Sequence, residues 1–171
     1  PFSFIIPWFD NAKSIQIKKE TSILQTIYPS QNKPEITLNQ PKGKETYGDK
    51  ITVSWTGSDS DKDTLYYTVF YSHDDTNWEI VTFETNNNSV EIDSSYLPGG
   101  PSCKIKVIAT DGFYVGIAES DPFKVIKKQP VCTIKDKEDT QCYGIAYDLE
   151  DGELTSSDLE WYSDSQGYLG K

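Results

Sequence analysis

Hydrophobic and polar residues alternate along one central stretch of the chain, residues 102–110. One side of the alternation holds Cys103, Ile105, Val107 and Ala109. Because successive side chains of a β-strand point to opposite faces, this period of two predicts a strand with one buried face. The segment LPGGP before it, residues 97–101, predicts a corner, since proline fixes φ and glycine supplies positive φ. Asp111-Gly112 predicts a tight turn after it.

Similar short apolar runs recur on both sides of this strand, separated by polar segments rich in turn-forming residues. They cover residues 36–38, 51–55, 65–72, 78–83, 90–92 and 122–126. Seven short strands at intervals of about ten residues are typical of a β-sandwich. No helical period extends over a useful length, so the sequence predicts an all-β fold.

Two further regions flank this one. Residues 1–33 contain short apolar runs without a core of their own, and the segment PSQNKP (29–34) is a linker by composition. Residues 127–130 form a second linker, and strands are predicted at 131–134, 142–147 and 159–162. The predicted division is therefore 1–33, 34–129 and 130–171.

An internal repeat relates the second and third regions. WTGSDSDKDTL aligns with IAYDLEDGEL at a constant offset of 89 residues, so that Asp59 falls on Asp148 and Asp61 on Glu150. Residues 130–171 thus correspond to about half a sandwich. We expect residues 1–33 either to end an upstream domain or to complete this half-domain, within one chain or between neighbouring chains.

The segments VSWTG (53–57), LYYTVFYS (65–72), YLPGG (96–100) and CKIKVIATDG (103–112) resemble fibronectin type III and related immunoglobulin-like domains. Residues 59–72 and 144–170 are also similar to tandem immunoglobulin-like modules of bacterial and archaeal surface or secreted proteins. The resemblance implies that Trp55 packs in the core and that Leu97 covers one end of it. Cys103 stands where the family usually has a tyrosine that hydrogen-bonds the corner.

Charge and composition narrow the possible partners. The chain has 27 acidic residues against 16 lysines and no arginine, for a net charge of −11. This lack of a basic surface argues against a nucleic-acid partner. No apolar run reaches the length of a membrane span. We expect an exported protein, and in that case the sequon at Asn87 is a candidate glycan acceptor.

Three cysteines leave one question open. Cys132 and Cys142 flank a predicted hairpin connection, so they form either a disulfide or two reduced thiols. Cys103 lies on the inward side of its strand and is expected to be a buried, inert thiol.

The sharpest candidate site is an acidic loop. Asp59, Asp61 and Asp63 alternate along it, and the sandwich topology predicts that Asp111 lies at the same end. Calcium requires several oxygen ligands, so these four carboxylates are its candidate ligands. The alternative is an ordinary turn, because aspartate and serine are good turn formers. A second, equally acidic loop contains Asp148, Glu150, Asp151 and Glu153.

Catalytic chemistry is not expected. His73 is the only histidine, so no multi-histidine metal site and no Ser-His-Asp triad can form. It lies in the segment SHDDTNW (72–78), which resembles the Asp-box hairpin of sialidases, where the aspartate stabilises the turn. Two tryptophans near turns, Trp8 and Trp78, either stack on glycans or pack at an edge.

These observations predict a non-catalytic immunoglobulin-like module of an exported or cell-surface protein. Its partners would be other domains of the same protein, surface proteins or glycans, and its role spacing, adhesion or assembly. One alternative is a carbohydrate-binding accessory module of a secreted hydrolase. Another is a subunit of a polymer completed head to tail by strands of neighbouring chains.

Overall fold

The computed structural model describes residues 12–138, 141–155 and 157–170, and the side chains of these residues except 135–138 and 141–143. The described residues form β-strands, one turn of 3-10 helix at Ser94–Tyr96, and no α-helix. The strands are β1 (Ile15–Lys19), β2 (Ser22–Ile27), β3 (Glu35–Gln40), β4 (Thr46–Tyr47), β5 (Lys50–Ser58), β6 (Tyr66–Ser72), β7 (Glu79–Thr85), β8 (Ser89–Asp93), β9 (Gly100–Thr110), β10 (Val115–Glu119), β11 (Phe123–Val125), β12 (Val131–Glu138), β13 (Gln141–Asp148), β14 (Gly152–Leu154), β15 (Trp161–Ser163) and β16 (Gly167–Gly170). The all-β prediction is confirmed.

Two sheets form a central sandwich, which we call the first module. One sheet has the order β3-β5-β8, and the other has the order β4-β11-β9-β6-β7, with β10 also paired to β9. Each of the seven strands predicted between residues 36 and 126 is present. The short strands β4 and β10 were not predicted. β10 forms a hairpin with β9 around Asp111 and Gly112, so the predicted tight turn is confirmed.

The inward side chains of both sheets meet in one hydrophobic core. The alternation in β9 is confirmed, because Cys103, Ile105, Val107 and Ala109 are all fully buried. Trp55 and Leu97 belong to the same core cluster. Trp55 packs edge-on against Tyr67, with ring centroids 5.4 Å apart. Fully burying an aromatic or aliphatic side chain contributes about 1.5–3 kcal/mol, so this cluster is the main source of stability.

The N-terminal strands form a hairpin of their own. β1 pairs with β2 in antiparallel fashion from Ile15 opposite Ile27 to Lys19 opposite Ser22. Among the described strands, neither pairs with any strand after residue 130. Completion of the C-terminal half-domain by strand pairing within one chain is therefore not seen.

The C-terminal region forms two small sheets, β12-β13-β14 and β15-β16. The strands predicted at 131–134 and 142–147 are present, and the strand predicted at 159–162 begins only at Trp161. After its acidic loop the chain folds back on β13 as β14, whereas in the first module it crosses to the other sheet as β6.

The register of β12 and β13 answers the cysteine question. Cys132 on β12 lies opposite Ala146 on β13. Cys142 is four positions before Ala146 on β13 and lies opposite Lys137. Cys132 is an exposed free thiol. Because disulfide partners need Cα atoms less than about 7 Å apart, this register is incompatible with a Cys132–Cys142 disulfide.

Candidate functional site

The first acidic loop, residues 59–63, connects β5 to β6 and is held by its own first carboxylate. Asp59 Oδ1 accepts hydrogen bonds from the backbone N–H groups of Asp61 at 2.8 Å and Asp63 at 3.3 Å. Lys62 has a φ of 66°, in the left-handed region. Aspartate bonded to the backbone two residues on is the usual chemistry of a tight turn. Asp59 therefore shapes the loop.

The second carboxylate of this loop binds the linker before β3. Asp61 Oδ2 accepts hydrogen bonds from Ser30 Oγ, Gln31 N and Asn32 N, each at 2.8 Å. Asp61 Oδ1 accepts one from Asn32 Nδ2 at 2.7 Å. Donors aimed at the charged form lower the pKa of Asp61 to about 2, with the Asn32 backbone N–H as the largest cause.

The second acidic loop, residues 148–151, repeats the first arrangement. Asp148 Oδ1 accepts hydrogen bonds from Glu150 N at 2.8 Å and Asp151 N at 3.0 Å. Desolvation raises the pKa of Asp148, but these backbone donors outweigh it and the net pKa is lowered. Asp148 thus shapes its turn as Asp59 does, 89 residues earlier.

Glu150, which aligns with Asp61 in the internal repeat, also binds a linker. Glu150 Oε1 accepts hydrogen bonds from Lys128 N at 3.1 Å and from Gly99 N, in the corner of the first module, at 2.6 Å. The Lys128 ammonium lies 3.3 Å from Asp49 Oδ1. One carboxylate oxygen therefore ties the second acidic loop both to its own linker and to the preceding module.

The two linker residues that donate these hydrogen bonds occupy the same position relative to the strand that follows. Asn32 and Lys128 each stand two residues before a proline, Pro34 or Pro130, after which β3 or β12 begins. In both cases the backbone N–H at this position donates to the second acid of the loop. We call this contact the linker clamp. Sequence reasoning found the repeated acids but not their linker partners, which are about 20 to 30 residues away.

Three of the four predicted calcium ligands lie together. Carboxylate oxygens of Asp59, Asp61 and Asp63 are within 4.8 Å of one another. Asp111 is not among the side chains that this cluster brings together. It caps the turn between β9 and β10, where its Oδ1 accepts hydrogen bonds from Phe113 N at 2.6 Å and Tyr114 N at 2.7 Å. Asp61 already accepts four donors, so the geometry supports the turn-and-linker interpretation.

The corner before β9 has an unpredicted partner. The Tyr71 hydroxyl on β6 donates to the Pro98 carbonyl oxygen at 2.6 Å and lies 3.1 Å from Cys103 Sγ. Burial raises the pKa of this hydroxyl far above its ordinary value. The corner carbonyl is thus bonded by a tyrosine from the neighbouring strand, whereas position 103, where the family that the sequence resembles usually has a tyrosine, holds a cysteine. The inward position of Tyr71 in the alternating segment YYTVFYS was the signal available in the sequence.

The Asp-box-like turn is structural, as predicted. Asp74 Oδ1 accepts hydrogen bonds from the backbone N–H groups of Thr76 at 2.9 Å and Asn77 at 2.7 Å. These donors lower the pKa of Asp74 strongly. The Lys106 ammonium lies 3.8 Å from the centroid of the Trp78 ring, which is half-buried. This lysine occupies one face of the ring. Trp8 lies outside the described residues.

Comparisons with protein-family models, with curated proteins and with solved structures give no match. Among the described residues, no helix has the length and apolar character needed to cross a membrane.

Proposed function

We propose that this chain is a non-catalytic spacer of immunoglobulin-like, fibronectin III-like modules in an exported or cell-surface protein. Its linkers are held rigid by the acidic loops, so that neighbouring modules keep a defined orientation. The observation that carries the proposal is the linker clamp, which occurs at Asp61 and at Glu150 with the donor at the same position before the following strand.

The strand order supports the immunoglobulin-like part. The first, second and fifth long strands of the first module, β3, β5 and β8, form one sheet, and β6 and β9 lie side by side in the other. Both sheets contribute to one core around Trp55. This distribution of strands corresponds to the architecture of immunoglobulin and fibronectin III sandwiches.

The role of the acids supports a spacer over an enzyme. Asp61, Asp74 and Asp148 all accept hydrogen bonds from backbone N–H groups, and the pKa of each is lowered. Such bonds hold these carboxylates ionised, whereas a general acid needs a raised pKa. Glu150 binds both Lys128 N and Gly99 N, so rotation about this linker would break two charge-assisted hydrogen bonds.

Limited proteolysis tests the clamp at the second linker. Trypsin cleaves after lysine, so Lys127 and Lys128 provide two cleavage sites there. The backbone N–H of Lys128, which donates to Glu150, belongs to the first of these two peptide bonds. Glu150→Gln removes the charge and half of the acceptor capacity, so we expect faster cleavage at these lysines than in the native chain. Asp151→Asn is the matched control. It changes an exposed acid in the same loop and should leave the cleavage rate unchanged.

Solution scattering measures the consequence for shape. We expect Glu150→Gln to broaden the distribution of interatomic distances relative to Asp151→Asn, since the regions on either side of the linker then sample more orientations. Equal scattering and equal cleavage in the two variants would show that the clamp does not hold the linker, and the spacer proposal would lose its basis.

A further inference from the structure

The outer face of the sheet β12-β13-β14 differs in character from the matching face of the first module. In β3 and β5, Glu35 lies opposite Ser58 and Thr37 opposite Thr56. The same ladder positions in β12 and β13 place Val131 opposite Tyr147 and Thr133 opposite Ile145. A polar face in the first module is therefore an apolar face in the C-terminal region.

This apolar face is open to solvent in the single chain. Val131 is 70% exposed, Ile145 50% and Tyr147 55%. With Thr133 and Glu153 they line a groove of about 300 Å³. Inward side chains lie on the opposite side of the sheet, where Trp161 packs over Gly144. Strands that completed a core on the Trp161 side would thus leave this outer face uncovered. A contiguous exposed apolar patch is typical of an interaction surface.

A second uncovered apolar surface lies on the β1-β2 hairpin. Exposed apolar side chains in or next to β2 are Ile23, Leu24, Ile27 and Tyr28. A two-stranded hairpin is at best marginally stable alone in water, so this one gains most by packing its side chains against another surface.

Net charge favours the β1-β2 hairpin, rather than a second copy of the same sheet, as the partner of this outer face. Residues 12–28 contain three lysines and one glutamate, whereas residues 131–155 contain two lysines and seven acidic residues. Two copies of the C-terminal sheet placed face to face would bring two regions of net negative charge together. The hairpin of another copy brings opposite charge, with Lys18 and Lys19 both exposed, and complementary charge favours association and sets its specificity.

We propose that the β1-β2 hairpin of one copy docks on the outer face of β12-β13-β14 of a second copy. The contact is head-to-tail, because two different surfaces meet, and repetition of it builds chains of molecules. The proposal rests on exposure and charge and is independent of the linker clamp.

The experiment is sedimentation velocity of the full chain over a range of concentrations. The sheet-side variant Ile145→Thr/Tyr147→Ser introduces the residues that the first module carries at the same ladder positions, so its fold should be retained. Its control, Ile80→Thr/Tyr66→Ser, removes two side chains of similar exposure from the first module. The hairpin variant Lys18→Glu/Lys19→Glu reverses the charge, and its control is Lys42→Glu/Lys124→Glu. Far-UV circular dichroism checks each fold.

We expect the native chain and both controls to associate beyond the dimer, and each interface variant alone to associate at least about tenfold more weakly. A mixture of the two interface variants should form a complex of one copy of each and no larger species, since each retains one intact surface. A native chain that stays monomeric would overturn the proposal. So would a hairpin variant that associates as tightly as its control, because the sheet would then pair with itself.

Discussion

The Tyr71 hydroxyl offers a direct test of how the first module is held together. Tyr71→Phe removes one oxygen from a site that is 1% exposed and leaves the Pro98 carbonyl oxygen without this donor. A buried polar group that loses its hydrogen-bond partner costs about 1–3 kcal/mol. For a domain of this size each kcal/mol lowers the unfolding midpoint by about 4–8 °C. We therefore expect a fall of at least about 4 °C.

The assay is urea unfolding together with thermal unfolding, both followed by tryptophan fluorescence, since Trp55 is in the same core. Tyr66→Phe is the matched control, because Tyr66 lies on the same strand with 46% of its surface exposed. That substitution should change the free energy of unfolding by less than about 0.5 kcal/mol. If the two variants have the same stability, the corner hydrogen bond contributes nothing to the stability of the first module.

Four further predictions follow from backbone geometry and charge. Gly116→Ala should destabilise the first module by about 1–3 kcal/mol in urea unfolding, because the added Cβ would overlap the Pro34 carbonyl oxygen; unchanged stability would contradict the close approach of β3 and β10. Lys62→Gly should stabilise the module by up to about 1 kcal/mol, since a lysine at positive φ is strained and glycine is not; a loss of stability would contradict this. The lowered pKa of Asp61 stabilises the clamped state above the ordinary pKa of 3.8, and this contribution is lost as the pH falls from about 4 to about 2. The NMR signals of the two linker amides bonded to Asp61 should titrate with a midpoint near 2 and should not do so in Asp61→Asn; a midpoint near 4 would refute the hydrogen-bonded carboxylate. Because Asp61 already accepts four hydrogen bonds from the linker, millimolar calcium should leave the thermal midpoint as it is in EDTA, whereas a shift of several degrees that Asp59→Asn abolished would establish calcium as a ligand of this loop.

Local patterns in the sequence determined much of the fold. The alternation from Cys103 to Ala109 specified a half-buried strand, because the period of a strand depends only on neighbouring residues. The turn at Asp111-Gly112 was equally local, since aspartate bonds the backbone two and three residues on. The repeated acidic loops could also be located, because the spacing of Asp59 and Asp61 recurs at Asp148 and Glu150.

Tertiary structure alone decided what those acids do. Asp61 and Asp59 look alike in sequence, yet one binds the linker near Asn32 and the other binds its own loop. The partner of the Pro98 carbonyl oxygen was not predicted for the same reason, since Tyr71 and Pro98 are 27 residues apart and meet only when β6 pairs with β9. Turn chemistry is set by adjacent residues, whereas a hydrogen bond between distant segments depends on where the packed core brings each backbone.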